Sequence, residues 1–162
     1  MRIAGIINNS VVNGPGIRDV IFVQGCQHHC PRCHNPETWN KEGGLNFTVT
    51  ELLRLLEDSN NDVTISGGEP LDQYHDVLKL VRCLNTIQHK KIWLYTGYTY
   101  EEIPRSWLTQ LQSCGVEVIV DGEYIEHLKD LRLQFRGSSN QRLIDLTKSL
   151  TNGKVVLWED KT

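Results

Sequence analysis

The chain has 162 residues, of which 39% are hydrophobic and 23% charged, with a formal net charge of −3. That length suits one domain with a real core, expected over residues 1–162, and without a block of Lys and Arg there is little footprint for a nucleic-acid backbone, so no nucleic-acid partner is expected. No run reaches the roughly 20 apolar residues of a membrane span and the first residues lack the apolar stretch of a secretion signal, so a cytoplasmic chain with no membrane partner is expected.

Short β-rich runs alternate with helical periodicity along the chain. Residues 19–25, DVIFVQG, read as a first buried strand, and GCQHHCPRCHNPETW follows at residues 25–39 with Cys26, Cys30 and Cys33 close together. Thr48 and Glu51 form a capping-box pattern that opens a helix with Leu52, Leu53, Leu55 and Leu56 on one side. Residues 62–66 read as a second strand, followed by GGEP at 67–70 and a helix from Asp72. KIWLYT at 91–96 reads as a third strand, followed by TGY and a second capping-box pattern at Thr99 and Glu102. Residues 116–120 read as a fourth strand, with DGEY at 121–124 after it. FRGSSN at 135–140 reads either as just the loop and N-cap before a helix over 143–150 or as a helix N-terminus that receives an anion such as a carboxylate, and residues 154–158 read as a last strand.

Strands alternating with helices imply a parallel sheet of βαβ units, whose ligands bind at the C-terminal strand ends. The cysteine loop, GGEP, TGY and DGEY should therefore converge on one rim. A closed eight-unit barrel takes typically about 250 residues. The expectation is thus an α/β fold with an incomplete, open (β/α) barrel of about five or six mostly parallel strands.

The chain has five cysteines, an odd number, and in a reducing compartment clustered thiols read as metal ligands or catalytic groups rather than disulfides. CPRCH at 30–34 matches a haem-attachment pattern and CPRC a redox pair, but neither uses Cys26. A structural zinc site could use the trio with His28, although such sites usually tie two separated pairs together. A four-iron cluster is held by cysteine thiolates, and three of them would leave one iron open to a ligand.

The C-x3-C-x2-C spacing after the first strand, with Gly-Gly-Glu-Pro after the second, resembles the radical S-adenosylmethionine superfamily. NGPGIR at 13–18, CHNPETW at 33–39, WLYTGY at 93–98, VDGEY at 120–124 and FRGSSNQR at 135–142 resemble the activating proteins of anaerobic ribonucleoside-triphosphate reductase. The resemblance implies a radical S-adenosylmethionine fold and one [4Fe-4S] cluster on Cys26, Cys30 and Cys33. It also implies reductive cleavage of S-adenosyl-L-methionine, a glycyl radical made on the reductase as protein partner, and a reduced flavodoxin-like electron donor. The related alternatives are the activase of another glycyl-radical enzyme such as pyruvate formate-lyase, a radical enzyme acting on a small molecule, and a non-catalytic zinc-binding adaptor.

Further cofactor contacts are expected from Arg32, Cys33 and His34 toward adenine. Many superfamily members have an aromatic residue before the third cysteine, whereas here the Arg32 guanidinium would have to stack on the base. Gly67 and Gly68 would let the methionine part approach the backbone, and Glu69 would suit its ammonium, although Gly-Gly alone also reads as a turn. Arg18 stands open between solvation and a role, Cys83 and Cys114 read as inert buried or semi-buried thiols, and His75, His89 and His127 carry no pattern.

Overall fold

The computed structural model describes residues 1–160. Its strands are β1 (Arg2–Ser10), β2 (Arg18–Val23), β3 (Leu45–Asn46), β4 (Asp62–Gly67), β5 (Ile92–Tyr95), β6 (Val116–Asp121) and β7 (Arg142–Asp145). Its α-helices are α1 (Val49–Leu56), α2 (Tyr74–Gln88), α3 (Arg105–Ser113) and α4 (Leu146–Asn152). The seven strands form one open sheet in the order β3-β1-β2-β4-β5-β6-β7. Strands β2, β4, β5 and β6 pair in parallel, β1 and β7 run against them at the flanks, and β3 pairs antiparallel to β1, so five of seven strands share one direction.

The sheet thus has seven strands where five or six were expected, because the antiparallel flanks are weakly written. RIAGIINNS in β1 pairs with β2 despite Gly5 and two asparagines. Residues 143–145, expected as the start of a helix, form β7 together with Arg142, and Asp145 caps the shorter α4 by accepting from the Lys148 N–H. The expected last strand at 154–158 is an extended segment with a single bridge, Leu157 to Ile144. The Thr99 and Glu102 pair closes a turn, with the Glu102 carboxylate accepting from Thr99 N–H and Oγ1 at 2.7 and 2.8 Å. The helix starts only at Arg105, because Pro104 bars its predecessor from helical geometry. The first capping box forms as expected, with Thr48 and Glu51 bonded reciprocally.

Side chains alternate across a strand, and the two faces of this sheet are used differently. Leu52, Leu56, Val77, Leu80, Val81, Leu84, Leu108, Leu111 and Leu146 of the four helices pack on Ile21, Val23, Val63, Ile65, Ile92, Leu94 and Ile119. The opposite face carries a smaller cluster of Trp93, Val118 and Val120, against which Tyr95, Phe135, Leu143 and Trp158 pack. Among the described residues no α-helix packs on that cluster, and Tyr95 and Phe135 line a cavity there. No helix among the described residues is long and apolar enough to cross a membrane.

Candidate functional site

The cysteine loop leaves β2 through Gly25, whose φ of 95° suits a residue without a side chain. Its base is closed by backbone bonds from Gly25 N–H to the Thr38 carbonyl at 2.7 Å and from Cys26 N–H to the Trp39 carbonyl at 3.3 Å. Gln24, buried beneath, donates to the carbonyls of Glu37 and Asn40 at 3.0 and 2.7 Å. Within the loop, Cys33 N–H bonds the Cys30 carbonyl at 3.0 Å, and His29 and Arg32 take left-handed conformations. All three cysteines of the loop line one cavity. All three are free, and Cys26 and Cys30 are each only 9% exposed.

Asn35 N–H lies 3.4 Å from Cys33 Sγ. Burial pushes the Cys26 and Cys30 thiols up, while the nearby backbone of His28 and His29 for Cys26, and of Tyr124 for Cys30, pulls the other way. Three largely buried thiols gathered on one cavity fit a group that is itself positively charged at its metal atoms. A thiolate-ligated iron–sulfur cluster is such a group. Among the described residues no three His, Cys, Asp or Glu are grouped to hold a single metal ion.

Glu69 lies under this loop with none of its surface exposed. Oε1 accepts from Leu71 N–H and Thr96 Oγ1, both at 2.9 Å, and Oε2 accepts from Gly97 N–H at 2.7 Å and pairs with His28 Nε2 at 2.9 Å. One carboxylate thereby ties together the loops after β2, β4 and β5. The His28 pKa is pushed up to about 9, first by its bond to Glu69, and Glu123 takes its other nitrogen at 2.9 Å. With both oxygens spent on the protein, Glu69 has no face left for a ligand ammonium.

Gly67 and Gly68 are required by the packing of the chain on itself. A Cβ on Gly68 would lie 2.2 Å from the Gly25 carbonyl oxygen, and one on Gly67 2.4 Å from Val23 N. The close approach at these glycines is therefore between backbones at the root of the cysteine loop. Both also line the cavity, where their main chain is open to a ligand.

The cavity has a volume of about 690 Å³ and gathers Cys26, Cys30, Cys33, His34, Gly67 and Gly68 on one wall. Arg32 and Glu69 are not among the lining residues; Arg32 is exposed and Glu69 buried. The other wall comes from residues 122–141, including Tyr124 of DGEY, expected at the rim, and Phe135 and Arg136 of FRGSSNQR, none of which was expected as a specific cofactor contact. Tyr124 packs against His34 with ring centroids 4.7 Å apart, so an aromatic wall stands beside the third cysteine although Arg32 precedes it. DGEY and FRGSSNQR carried the signal for this wall, as unusual sequence after the fourth strand. The rim bears exposed Val11 and Val12 on one side and Leu131, 89% exposed, on the other.

Arg18 lies at the far end of the strands. Its Nε donates to Thr64 Oγ1 at 2.8 Å, and Nη2 donates to the carbonyls of Val63 and Lys91 at 2.8 and 2.9 Å. It is a structural cation, remote from the thiols.

An open α/β sheet with a three-thiol loop at its parallel rim defines the class as an iron–sulfur protein, and a family described as "4Fe-4S single cluster domain" matches residues 12–144. Anaerobic ribonucleoside-triphosphate reductase-activating protein of Escherichia coli K12 is 38% identical over 140 residues, covering 81% of this chain and 90% of its own. The protein of that description from Enterobacteria phage T4 is 38% identical over 139 residues, covering 82% and 86%, and that from Pasteurella multocida is 30% identical over 148, covering 85% and 93%. The chain belongs to the family of anaerobic ribonucleoside-triphosphate reductase-activating proteins.

Proposed function

We propose that this chain activates an anaerobic ribonucleoside-triphosphate reductase, using S-adenosylmethionine at a [4Fe-4S] cluster to place a glycyl radical on that partner. The observation that carries the reading is the loop of Cys26, Cys30 and Cys33, all three lining one open cavity in a chain of this family. When bound, the cluster supplies the electron that splits S-adenosylmethionine into methionine and a 5′-deoxyadenosyl radical, which takes hydrogen from a glycine Cα of the reductase.

The residues of the chain bind, orient and exclude water. Cys26, Cys30 and Cys33 would each hold one iron, leaving the fourth for the amino and carboxylate groups of S-adenosylmethionine. The Gly67 and Gly68 backbone would flank its methionine part, and His34, backed by Tyr124, would offer a face to adenine with Arg32 at its outer edge. Glu69 acts beneath them as a positioning residue that fixes three loops. The wide mouth with Val11, Val12 and Leu131 on its rim suits a polypeptide reaching in. The reading places the protein in the cytoplasm, with a reduced flavodoxin-like protein as electron donor and residues 1–162 acting as one domain.

Anaerobic incubation of the cluster-loaded protein with reductant, S-adenosylmethionine and its cognate reductase should yield methionine, 5′-deoxyadenosine and a doublet radical signal on the reductase. Deuterium at the glycine Cα should collapse the doublet and appear in the 5′-deoxyadenosine. Radical formation on pyruvate formate-lyase instead would move the partner assignment. An intact reduced cluster that leaves S-adenosylmethionine uncleaved would end the proposal.

A further inference from the structure

One motif of the cysteine loop has chemistry that the ligand role does not use. CPRC at 30–33 reads as a redox pair, and in the folded chain its two thiols stand at the ends of a single turn. Cys33 N–H bonds the Cys30 carbonyl at 3.0 Å, which closes that turn. Pro31 suits its first inner position, and Arg32, at φ 57°, takes the left-handed conformation at the second, the pattern of a type II turn. Such a turn holds its end Cα atoms within about 7 Å, and a disulfide usually spans about 4.4–6.8 Å between Cα atoms. Both thiols are free and line the same cavity.

Cys26 sits on the anchored part of the loop. Its N–H bonds the Trp39 carbonyl at 3.3 Å, and the stretch between it and Cys30 is pinned by two side chains. His28 bonds Glu69 and Glu123, each at 2.9 Å, and the His29 ring meets Trp39 edge-on with centroids 4.9 Å apart. The turn side is more open. Pro31, Arg32 and His34 are exposed, and Cys33 is half-buried where Cys30 is buried. Of the pairings open to the trio, Cys30 with Cys33 is the one that a hydrogen-bonded turn already brings together.

We propose that in the iron-free chain Cys30 and Cys33 close into a disulfide that gates loading of the site, an inference that rests on the ligand reading of the trio given above. The oxidant is a small-molecule disulfide such as oxidised glutathione. Cys33, the more accessible thiol, attacks as its thiolate one sulfur of that disulfide; one glutathione leaves and a mixed disulfide remains on Cys33. Cys30 then attacks the Cys33 sulfur, and the second glutathione leaves. Each cysteine sulfur loses one electron, the oxidised glutathione gains both, and the two thiol protons end on the two glutathione thiols. The closed pair withdraws Cys30 and Cys33 from iron, leaves Cys26 as a lone thiol, and keeps both sulfurs off the irreversible steps of oxidation until a dithiol reduces them. In a reducing compartment such a bond is transient and serves sensing rather than folding.

The test treats the full chain, freed of iron by anaerobic chelation and fully reduced, with oxidised glutathione, then alkylates the remaining thiols after unfolding and maps the bonds by mass spectrometry. One internal bond is expected, Cys30 to Cys33, with Cys26, Cys83 and Cys114 alkylated. Cys26→Ala should form the same bond at a rate within about twofold of the parent, since its thiol takes no part in the exchange. The closed protein should take up less than about a tenth of the iron and sulfide that the reduced protein binds, and dithiothreitol should restore uptake. A bond that includes Cys26 in the parent, or a glutathione that stays on Cys33, would overturn the gate and leave the proposed function standing. Full iron uptake by the closed protein, or none by the reduced protein, would overturn both.

Discussion

Arg18 at the start of β2 and Glu69 just beyond β4 are charges sealed from solvent at opposite ends of the parallel strands, 2% and 0% exposed. Each is satisfied by the protein, but with partners of different kinds. Arg18 bonds Thr64 and two carbonyls at the N-terminal ends of neighbouring strands, and its guanidinium lies 5.6 Å from the centre of the Trp93 ring. Glu69 bonds groups on three loops, including His28 between the first two cysteines of the site. A buried charge among strands maintains a floor, whereas one among loops maintains a shape. Removing either should cost similar stability, and only the second should cost the site.

The largest effect is expected from Glu69→Ala. It strands the donors of Leu71, Thr96, Gly97 and His28, and breaking a buried pair costs about 3–5 kcal/mol. Denaturant unfolding should register that loss, and iron and sulfide bound after anaerobic reconstitution should fall well below the parent. Full iron loading in this variant would show that the loops keep their shape without the carboxylate.

Arg18→Met should be next. It leaves two carbonyls and a hydroxyl short of a donor but fills the space, for a loss of about 2–4 kcal/mol. Iron loading below the unfolding transition should match the parent. Depleted iron here would mean that the strand floor and the rim loops are coupled, and the contrast with Glu69 would fail.

Gly68→Ala sharpens the contrast at the rim itself. The added methyl overlaps the Gly25 carbonyl, so the root of the cysteine loop must move, at about 1–3 kcal/mol and with weaker iron retention. Gly5→Ala is the control, because a Cβ there meets nothing within 4 Å and β1 should keep its stability to within about 0.5 kcal/mol. Equal thermal and iron profiles for the two variants would remove the argument from close backbone approach.

The parts legible in the sequence are those written locally. The four parallel strands are short runs rich in β-branched and aromatic residues, each followed by its unusual loop, so the convergence of the cysteine loop, GGEP, TGY and DGEY on one rim could be read from order alone. What escaped is set by distant contacts. Residues 142–145 pair as β7 along β6, a contact that outweighs a local pattern suited to helix. Trp158, read as the end of a strand, instead packs on Trp93 and Phe135, with ring centroids 4.9 and 6.3 Å away. Glu69 was assigned to a ligand because a carboxylate after two glycines is conspicuous, yet the groups that saturate it come from sequence as distant as His28 and Gly97. Phe135 and Arg136 stand in FRGSSNQR, which reads as a loop before a helix, and only the folded chain shows that this segment lines the cavity.

The smallest effects should come from the two cysteines outside the loop, which separate a thiol that packs from a thiol that binds. Cys114 is buried at the end of α3 in the helix-side core, where its sulfur accepts from Arg82 Nε at 3.4 Å, and Cys83 lies half-buried on α2. Cys114→Ala removes one sulfur from the core and a weak acceptor from Arg82, for about 1 kcal/mol, and Cys83→Ala should cost less. Both should bind as much iron and sulfide as the parent and keep its brown colour. By contrast, Cys26→Ala, Cys30→Ala and Cys33→Ala should each remove the cluster with little change in apoprotein stability, because these side chains line a cavity rather than fill a core. Loss of iron in Cys114→Ala, or its retention in Cys30→Ala, would reassign the ligands and move the site to the other face of the sheet.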